Sequence, residues 1–505
     1  MSRLSKNVIL NVLGQVVIII LSFVAVKFIF VRLGKDALGI IFFAQTLTLV
    51  LRFILDLGLG STTVREVAAH YQDERPYVLA FLRTASLVYW AFYGLLSVGI
   101  YVSAPFLIHR WVIVSDLDIT QGILALRILG ISAMLTLPRT FYISIFRGIE
   151  RMEFNNGIDV ATVALQQIGT VVLLAKGDGL VAVSCWLAVC FSLGIVAYVV
   201  ICGHFFGWSA LRPGFSLEVV RRNWRLTSHM ASISLLGIVQ TQTDKAISSK
   251  LLPLGLFGYY SMAYGTASRA SLIANSIGEA SLPSLSSAFS AGDEDVLMSR
   301  YRKLQDFLSY GTAPIFAGIV FFALPLFTYI LSSAAATQLL LPTGFLCVGF
   351  LLNASLNGLY IYSIAVGRPD IAARSNMYAM VVVSPMTFLL VYFWGIRGAA
   401  FSWIVYHLFA FCYQGRRTCN ECLGISIRRW LTYPLQSLGL AFLTYGTAWL
   451  VASAFASSSL ILLVIAYLCA TSVFILAAYS LIGQELRQTF TAYFRRRPRL
   501  VTELQ

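Results

Sequence analysis

Charged side chains are scarce in this sequence. Asp, Glu, Lys and Arg together make up 12% of its 505 residues, whereas they approach a quarter of a typical soluble domain. Hydrophobic residues reach 58%, and the mean hydropathy is +0.79. This composition lies outside the range of soluble domains and indicates a protein that resides in the lipid bilayer.

Features that several kinds of chemistry require are also missing. No Gly-rich phosphate-binding loop of the Walker type occurs, so we do not expect ATP hydrolysis. Cys419 and Cys422 form a lone C-x-x-C pair, and neither a second pair nor a nearby His completes the four ligands of a zinc site. No connection is long enough to form a catalytic domain. We therefore predict neither an enzyme nor a metal or cofactor site.

What the sequence does contain is fourteen apolar runs joined by short connections. Each run approaches or exceeds the ~20 residues that cross ~30 Å of hydrocarbon as a helix. Backbone polar groups inside lipid must be paired within the run, which favours helices. We predict an all-α polytopic membrane protein with about 14 transmembrane helices. The runs cover residues 8–31, 38–60, 79–107, 120–141, 158–176, 179–203, 228–250, 255–279, 304–331, 337–366, 369–393, 397–414, 433–455 and 459–483.

Basic residues are distributed unevenly over the connections. With the N-terminus in the cytoplasm, 26 of the 37 Lys and Arg residues fall on the cytoplasmic side, 6 on the external side and 5 inside runs. An excess of this kind orients multi-span membrane proteins. We predict a multi-pass protein of the bacterial inner membrane with both termini in the cytoplasm. The net charge of +15 then reflects anchoring at anionic headgroups rather than nucleic-acid binding.

A short internal repeat suggests how the runs are grouped. Three positions at the start of the second run recur at the start of the eighth, 219 residues later. They are Leu33, Gly39 and Ala44, matched by Leu252, Gly258 and Ala263. This predicts two six-helix lobes related by a pseudo-two-fold axis along the membrane normal, plus two C-terminal helices. The expected segments are a lobe at 1–205, a cytoplasmic linker at 206–227, a lobe at 228–425, and two helices with a basic tail at 426–505.

Several motifs carry a resemblance to a known family. They are Asn11-x-x-Gly14-Gln15, Leu33-Gly34-x-x-Ala37-Leu38-Gly39, Asp56-Leu57-Gly58, Arg147-Gly148-Ile149-Glu150-Arg151-Met152, and Asp244-Lys245 ahead of Leu254-Gly255-x-x-Gly258-Tyr259. Over about residues 1–425 the chain resembles polysaccharide flippases of the Wzx type. That family belongs to the multidrug/oligosaccharidyl-lipid/polysaccharide exporter (MOP) superfamily.

The resemblance implies an activity. An undecaprenyl-diphosphate-linked oligosaccharide would move from the cytoplasmic to the periplasmic leaflet by alternating access, for synthesis of O-antigen, lipopolysaccharide or exopolysaccharide. Its implied partners are the lipid-linked oligosaccharide, membrane lipids, a polysaccharide polymerase and chain-length proteins, and coupling to H+ or Na+ is left open. Many Wzx-type members are predicted with twelve spans. Fourteen is closer to the lipid II flippase, so a lipid II-type flippase remains an alternative. A cation-coupled multidrug antiporter of the same superfamily is a further alternative, although it would predict an anionic or aromatic cavity and usually twelve spans.

Ionisable groups inside the runs are the candidate site residues, because charge at bilayer depth is costly and usually faces the protein interior. Arginine suits an anionic diphosphate because its planar guanidinium offers several donors and keeps its charge. We predict a cationic, substrate-binding cavity. Its residues are Arg52, Arg127, Arg269, Lys245 and Gln45.

The same groups allow other interpretations. Arg52 and Asp56 are four residues apart and can neutralise each other on one helix. Arg127 and Arg269 can pair with acids on other helices, and Asp244 with Lys245 can form a hydrogen-bond network. Coupling to an ion would need an acid that changes its occupancy. The candidates are Asp56, Asp244, Asp159 and Glu279.

Overall fold

The structure is a computed structural model that describes residues 3–56, 58–455 and 460–487. Within these ranges, side chains are described except at 3–17, 52–56, 225–226, 228–240 and 455. Helices account for nearly all of the described residues, and the only β-pairing among them is an isolated bridge between Ile113 and Pro253. The predicted all-α class is confirmed.

The chain divides into two units, Met1–Tyr259 and Tyr260–Gln505. The first unit contains nine helices within its described residues and the start of a tenth. They are α1 (Arg3–Asp56), α2 (Leu59–His70), α3 (Arg75–Phe106), α4 (Ile119–Ala133), α5 (Thr136–Gly148), α6 (Met152–Lys176), α7 (Leu180–Phe206), α8 (Trp208–Leu211), α9 (Leu217–Leu251) and α10 (Leu254–Ser290).

The second unit contains the rest of α10 and the remaining helices. They are α11 (Glu294–Asp306), α12 (Ala313–Ile330), α13 (Ser333–Ala365), α14 (Pro369–Trp394), α15 (Ile396–Ala410), α16 (Arg416–Thr418), α17 (Ile427–Trp430), α18 (Thr432–Ala441), α19 (Thr447–Phe455) and α20 (Leu460–Leu481). Wider, π-helical turns lie at Leu107–Trp111, Phe307–Gly311, Phe411–Gly415, Cys419–Leu423 and Phe442–Gly446.

Local sequence explains where key helices break. α1 is interrupted at Gly34, whose φ of 85° is readily adopted only by a residue without a Cβ. The first two predicted runs therefore become two helical segments on either side of this glycine. Asp118 caps α4 by accepting a hydrogen bond from the Thr120 amide at 2.8 Å. α6 ends at Gly177, which has a φ of 93°.

The core of the first unit is built largely from aromatic side chains on α2, α3, α5 and α7. Tyr89 on α3 stacks on Phe141 of α5 with ring centroids 5.4 Å apart. Phe146 of α5 lies 6.1 Å from Tyr198 of α7. All four rings are buried, and each aromatic pair adds about 0.5–1.5 kcal/mol beyond burial of its area. This packing fixes the positions of the polar groups on the same helices.

In the second unit, specific hydrogen bonds fasten the last two predicted runs, residues 433–455 and 459–483, to the other helices. Tyr310 donates to Gln436 at 2.9 Å, and Tyr467 donates to the carbonyl of Pro314 at 2.9 Å. The Asp306 carboxylate accepts the Gly483 amide at 2.8 Å. The two C-terminal runs therefore pack as part of this unit.

The outside of both units is apolar, as expected for surfaces that face lipid. Val102 in the first unit is 70% exposed, and Phe442 in the second unit is 79% exposed. Within the described residues, nine helices are long and apolar enough to cross a membrane. They are Arg75–Trp111, Ile119–Gly148, Met152–Lys176, Leu180–Phe206, Glu294–Ile330, Ser333–Ala365, Pro369–Trp394, Ile427–Ala454 and Leu460–Leu481.

The other five predicted runs also fall on helices. Runs 8–31 and 38–60 lie mainly on α1, run 228–250 on α9, run 255–279 on α10 and run 397–414 mainly on α15. The chain is an all-α, multi-span membrane protein, and the count of fourteen stays a prediction. The division into units does not test the predicted repeat boundaries, which also stay predictions.

Candidate functional site

An ion pair that the sequence analysis did not predict connects three helices of the first unit. Arg139 on α5 donates to the Oδ1 atom of Asp159 on α6, and the buried Tyr198 hydroxyl on α7 donates to the same oxygen at 2.7 Å. The side chain of Arg139 is 16% exposed and that of Asp159 is 42% exposed. One carboxylate therefore receives two donors and retains some access to solvent or lipid headgroups.

This arrangement gives the Asp159 carboxylate partners on two other helices, Arg139 on α5 and Tyr198 on α7. The Arg139 guanidinium also lies 5.8 Å from the Tyr198 ring, so losing the carboxylate contact would leave it beside an aromatic face. Asp159 was predicted as an ion-coupling candidate, and that role stays a prediction. Arg139 was counted with the cytoplasmic connection although it lies inside the run 120–141. If Arg139 were grouped with the other charges inside runs, it would be a candidate site residue.

Arg127 on α4 is held without a carboxylate. Its Nε donates to the carbonyl of Tyr101 on α3 at 3.0 Å, and its guanidinium carbon lies 4.1 Å from the Tyr101 ring centroid. No salt bridge to Arg127 occurs among the residues with described side chains. A guanidinium has five N–H donors, so this hydrogen bond leaves the outer two nitrogens able to contact an anion.

Lys245 and Asp244 lie on α9, and both are buried. The ammonium of Lys245 donates to the carbonyl of Thr241 one turn earlier, at 3.1 Å. Burial of charge is tolerated only where polar partners offset the loss of water. The neighbouring Gln242 is buried as well. This stretch of α9 is therefore polar and enclosed by protein.

Three predicted residues lie on the second half of α1. The side chain of Gln45 is exposed, whereas the neighbouring Thr46 and Thr48 are buried. The side chains of Arg52 and Asp56 lie outside the described residues. Their predicted pairing and their predicted cavity roles therefore both stay predictions.

The remaining predicted site residues belong to the second unit. Arg269 and Glu279 are both exposed on α10, and their ten-residue separation corresponds to about 15 Å along the helix. On α15, the buried His407 has partners for both ring nitrogens. Its Nδ1 lies 2.7 Å from the carbonyl of Trp403 and its Nε2 lies 2.9 Å from the amide nitrogen of Asn353. His407 therefore has the environment of a neutral, structural histidine.

The connection that carries the C-x-x-C pair contains a network of ion pairs. Glu421 accepts from Arg417 at 2.5 Å and from Arg368 at 2.7 Å. These hydrogen bonds lower the pKa of Glu421 below its usual range, and the one from Arg417 has the larger effect. Cys419 is buried and Cys422 is half-buried. Within the described part of the chain, no three His, Cys, Asp or Glu side chains come together as metal ligands.

Comparison with known proteins now gives the family context. The model of the family described as "Polysaccharide biosynthesis protein" matches residues 4–289. No curated protein sequence matches the chain.

Several solved structures have the same fold. A multidrug resistance MATE family transporter of the MOP superfamily, in an inward-facing conformation, is 13% identical over 79% of this chain and 94% of its own, with a TM-score of 0.66. The lipid II flippase MurJ, inward closed, is 15% identical over 93% of this chain and 97% of its own, with a TM-score of 0.65. A MOP superfamily transporter from Pyrococcus furiosus is 12% identical over 81% and 93%, with a TM-score of 0.55. These identities establish a MATE- and MurJ-like fold only.

Proposed function

Because this chain belongs to the polysaccharide biosynthesis protein family of the MOP superfamily, we propose that it is a flippase for lipid-linked oligosaccharides. The family is one of membrane transporters rather than enzymes. The proposed cargo is an undecaprenyl-diphosphate-linked oligosaccharide that moves from the cytoplasmic to the periplasmic leaflet of the bacterial inner membrane. Alternating access would open a basic chamber to each side in turn, with the prenyl tail remaining in lipid.

The observation that carries this proposal is the family match over residues 4–289, which covers more than half of the 505-residue chain. Transport for polysaccharide synthesis at a membrane implies a cargo made membrane-compatible by a lipid. The diphosphate of such a cargo is anionic and must be desolvated in transit. Cationic side chains inside the membrane would offset that cost.

The electrostatics of Arg127 support this role. Its described partners are a carbonyl and an aromatic ring, so its charge is positioned without being neutralised by an acid. We assign diphosphate or sugar contacts to the predicted cationic set, with ion coupling assigned to the predicted acids. The cationic set is Arg52, Arg127, Lys245 and Arg269, joined in the predicted cavity by the neutral Gln45, and the acids are Asp56, Asp159, Asp244 and Glu279.

A lipid II-type flippase and a multidrug antiporter have the same fold, so the fold alone does not distinguish these two functions from the proposed one. The family match favours a glycan cargo over a drug. The partners expected for such a cargo are the polymerase and chain-length proteins of the same pathway.

The test is to remove the chain from cells and identify the lipid-linked intermediates that accumulate. We expect a complete undecaprenyl-diphosphate oligosaccharide on the cytoplasmic side and loss of surface glycan. Complementation with Arg127→Ala or Arg269→Ala should reduce glycan output about tenfold or more, because a hydrogen bond to a charged group contributes about 1.5–3 kcal/mol. Arg428→Ala, which removes an exposed connection charge, is the matched control.

Two results would overturn the proposal. Accumulation of lipid II alone would assign the chain to the peptidoglycan precursor instead. Normal intermediates with increased sensitivity to toxic cations would assign it to drug export.

A further inference from the structure

The predicted cytoplasmic linker, which connects α7 to α9, is attached to α3 by hydrogen bonds. The Nε atom of Arg83 donates to the carbonyl of Ser209 at 2.8 Å, and the carbonyl of Arg83 accepts the Gly214 amide at 3.2 Å. The hydroxyl of Ser86 donates to the carbonyl of Leu211 at 3.3 Å. These three hydrogen bonds fix the orientation of the linker on α3.

Residues 208–224, which we call the platform, present large apolar side chains outward. Four of these side chains are each more than half exposed. They are Trp208, Phe215, Leu217 and Trp224. A cluster of exposed apolar side chains marks a surface that contacts lipid or protein, and Trp is typical of the boundary between hydrocarbon and headgroups.

The first of these rings is held in place by the core of the first unit. A Cβ placed on Gly203 of α7 would lie 3.0 Å from the Trp208 ring, so the ring packs directly against the α7 backbone. Ala210 and Leu211, which follow Trp208 on α8, are buried in the core. One side of the Trp208 ring is therefore fixed by protein while the rest remains available to lipid.

Helix lengths place the platform near the boundary between hydrocarbon and headgroups. α9 has 35 residues and is therefore about 52 Å long, whereas the hydrocarbon core is about 30 Å thick. Because its predicted run begins at residue 228, residues 217–227 project beyond the hydrocarbon on the predicted cytoplasmic side. Arg83 lies about 6 Å inside the start of the run 79–107, a depth from which its long side chain reaches the headgroups.

The charges around these apolar side chains are mainly basic. Arg83, Arg212 and Arg221 are exposed, and none of them forms an ion pair with a carboxylate among the residues with described side chains. Arg222 differs, because it pairs with an acid in the connection between α2 and α3. The platform has one acid, the exposed Glu218. Three guanidinium groups can therefore bind an anion from outside the protein.

We propose that the platform, together with Arg83, binds anionic phospholipids of the cytoplasmic leaflet. The headgroup phosphates are bound by Arg83, Arg212 and Arg221. The acyl chains lie along Trp208 and Trp224. Arginine suits this ligand because its planar guanidinium matches phosphate oxygens, and basic residues at the membrane surface attract anionic lipid. The exposed rings favour a lipid over a free phosphate ion, because only the lipid supplies chains to contact them.

The test uses the full chain, purified in an uncharged detergent, and measures thermal unfolding as lipid is added. Phosphatidylglycerol is compared with phosphatidylcholine of the same acyl chains, so that the headgroup is the only difference. Phosphatidylglycerol should raise the melting temperature until the effect saturates, because a ligand that binds only the folded chain stabilises it. Phosphatidylcholine and inorganic phosphate at the same concentrations should raise it much less.

Two substitutions remove charge from the platform without breaking an ion pair among the described side chains. Arg212→Gln and Arg221→Gln should each weaken the apparent affinity for phosphatidylglycerol about fivefold, and together about twentyfold. Trp224→Ala, which retains every arginine, should also weaken it. Lys176→Gln is the matched control, because it removes one exposed charge at the predicted external end and should leave the affinity unchanged.

Equal melting shifts from the two phospholipids would overturn the proposal, as would an equal shift from inorganic phosphate. A double variant of Arg212→Gln and Arg221→Gln that retains the parent affinity would also overturn it. An undecaprenyl-diphosphate oligosaccharide is a further arm, and a response to this lipid without one to phosphatidylglycerol would assign the arginines to the cargo instead. The readout does not depend on transport, so phospholipid binding can hold where the proposed function fails, and the reverse.

Discussion

The two predicted ends of the first unit are held together by different kinds of interaction. At the predicted external end, Gly39 and Gly258 bring two backbone segments into contact, and the connection at residues 110–116 adds hydrogen bonds that mostly involve backbone groups. At the predicted cytoplasmic end, side-chain charges make the connections. One end depends on close approach of the backbone, and the other depends on electrostatics.

The cytoplasmic end of α9 illustrates the second kind. Arg222 donates to Glu74 at 3.2 Å, contacts the Nε2 atom of His70 at 2.9 Å and lies 4.0 Å from the Tyr77 ring centroid. Tyr77 in turn donates to the buried Glu66 at 2.8 Å. α9 is thus fastened at both ends in this conformation. Ion pairs and rings hold one end, and at the other Trp111 donates to Ser249 and Lys250 donates to the carbonyl of Arg110.

This difference has a mechanistic consequence. Interactions between exposed charges weaken with salt and with loss of either partner, whereas backbone contact at a glycine tolerates no added atom. The predicted cytoplasmic end should therefore be adjustable by charge. The predicted external end should respond mainly to side-chain volume added at Gly39 or Gly258.

The largest expected effect comes from adding one methyl group to the external contact. Gly39→Ala would place a Cβ against the carbonyl of Leu254 and should destabilise the protein by about 1–3 kcal/mol. Thermal unfolding in detergent measures it. Gly94→Ala is the matched control, because a Cβ on this helical glycine meets nothing within 4 Å and should be neutral or stabilising. Equal melting of the two variants would contradict the close contact.

The next effect tests the electrostatic end at the ion pair of α5 and α6. Arg139→Gln should reduce the free energy of unfolding by about 1–2 kcal/mol, less than breaking a fully buried pair would, because the Asp159 side chain is 42% exposed. Asp159→Asn alone should have a similar cost. The double variant Arg139→Gln with Asp159→Asn should recover part of it, because no uncompensated charge remains. Strict additivity in this cycle would show that the two groups are not coupled.

A smaller effect is expected at Arg222. Arg222→Ala should lower the melting temperature of the protein slightly, through loss of an exposed ion pair and a cation–π contact. The neighbouring Arg221→Ala removes the same charge from an exposed position and should be nearly neutral. The difference between these variants should shrink at 1 M salt, where the screening length falls to about 3 Å. A difference that salt does not change would contradict an electrostatic contact.

The smallest effect is expected in the second unit, at the ion pairs of Glu421. It tests whether charge also stabilises the predicted cytoplasmic connection that contains this residue. The lowered pKa of Glu421 means that its ion pairs contribute stability above the usual glutamate pKa of about 4.3. That contribution should be lost as pH falls through the lowered value. The melting temperature of Glu421→Gln should therefore approach that of the unsubstituted chain below pH 4. A constant gap at all pH values would contradict this assignment.

Part of this account could be predicted from the sequence. The apolar runs predicted helices because backbone groups inside lipid must form their hydrogen bonds within the run. The predicted connection between the first two runs contains Gly34, whose positive φ interrupts α1. Arg139 was missed because a charge near the end of a run resembles a loop charge. Asp36 was missed because it lies in a short connection, and its partners are backbone amides about 80 residues away that no residue type reveals.

The candidate site was less predictable than the fold for a physical reason. Position in a run shows that a charge is at bilayer depth, but its partner depends on how helices pack. Asp159 and Arg127 look similar in sequence, as single charges in apolar runs. In the structure, Asp159 is paired with Arg139 whereas Arg127 rests on a carbonyl and a ring.

The most direct test of the proposed function uses the purified chain in vesicles of bacterial phospholipids that contain a fluorescent undecaprenyl-diphosphate oligosaccharide. An impermeant glycosidase added outside digests only the outer leaflet. We predict that the chain makes the protected inner half accessible and that Arg127→Ala with Arg269→Ala slows this about tenfold or more. Digestion that stops at half, as in vesicles without protein, would contradict translocation of a lipid-linked glycan.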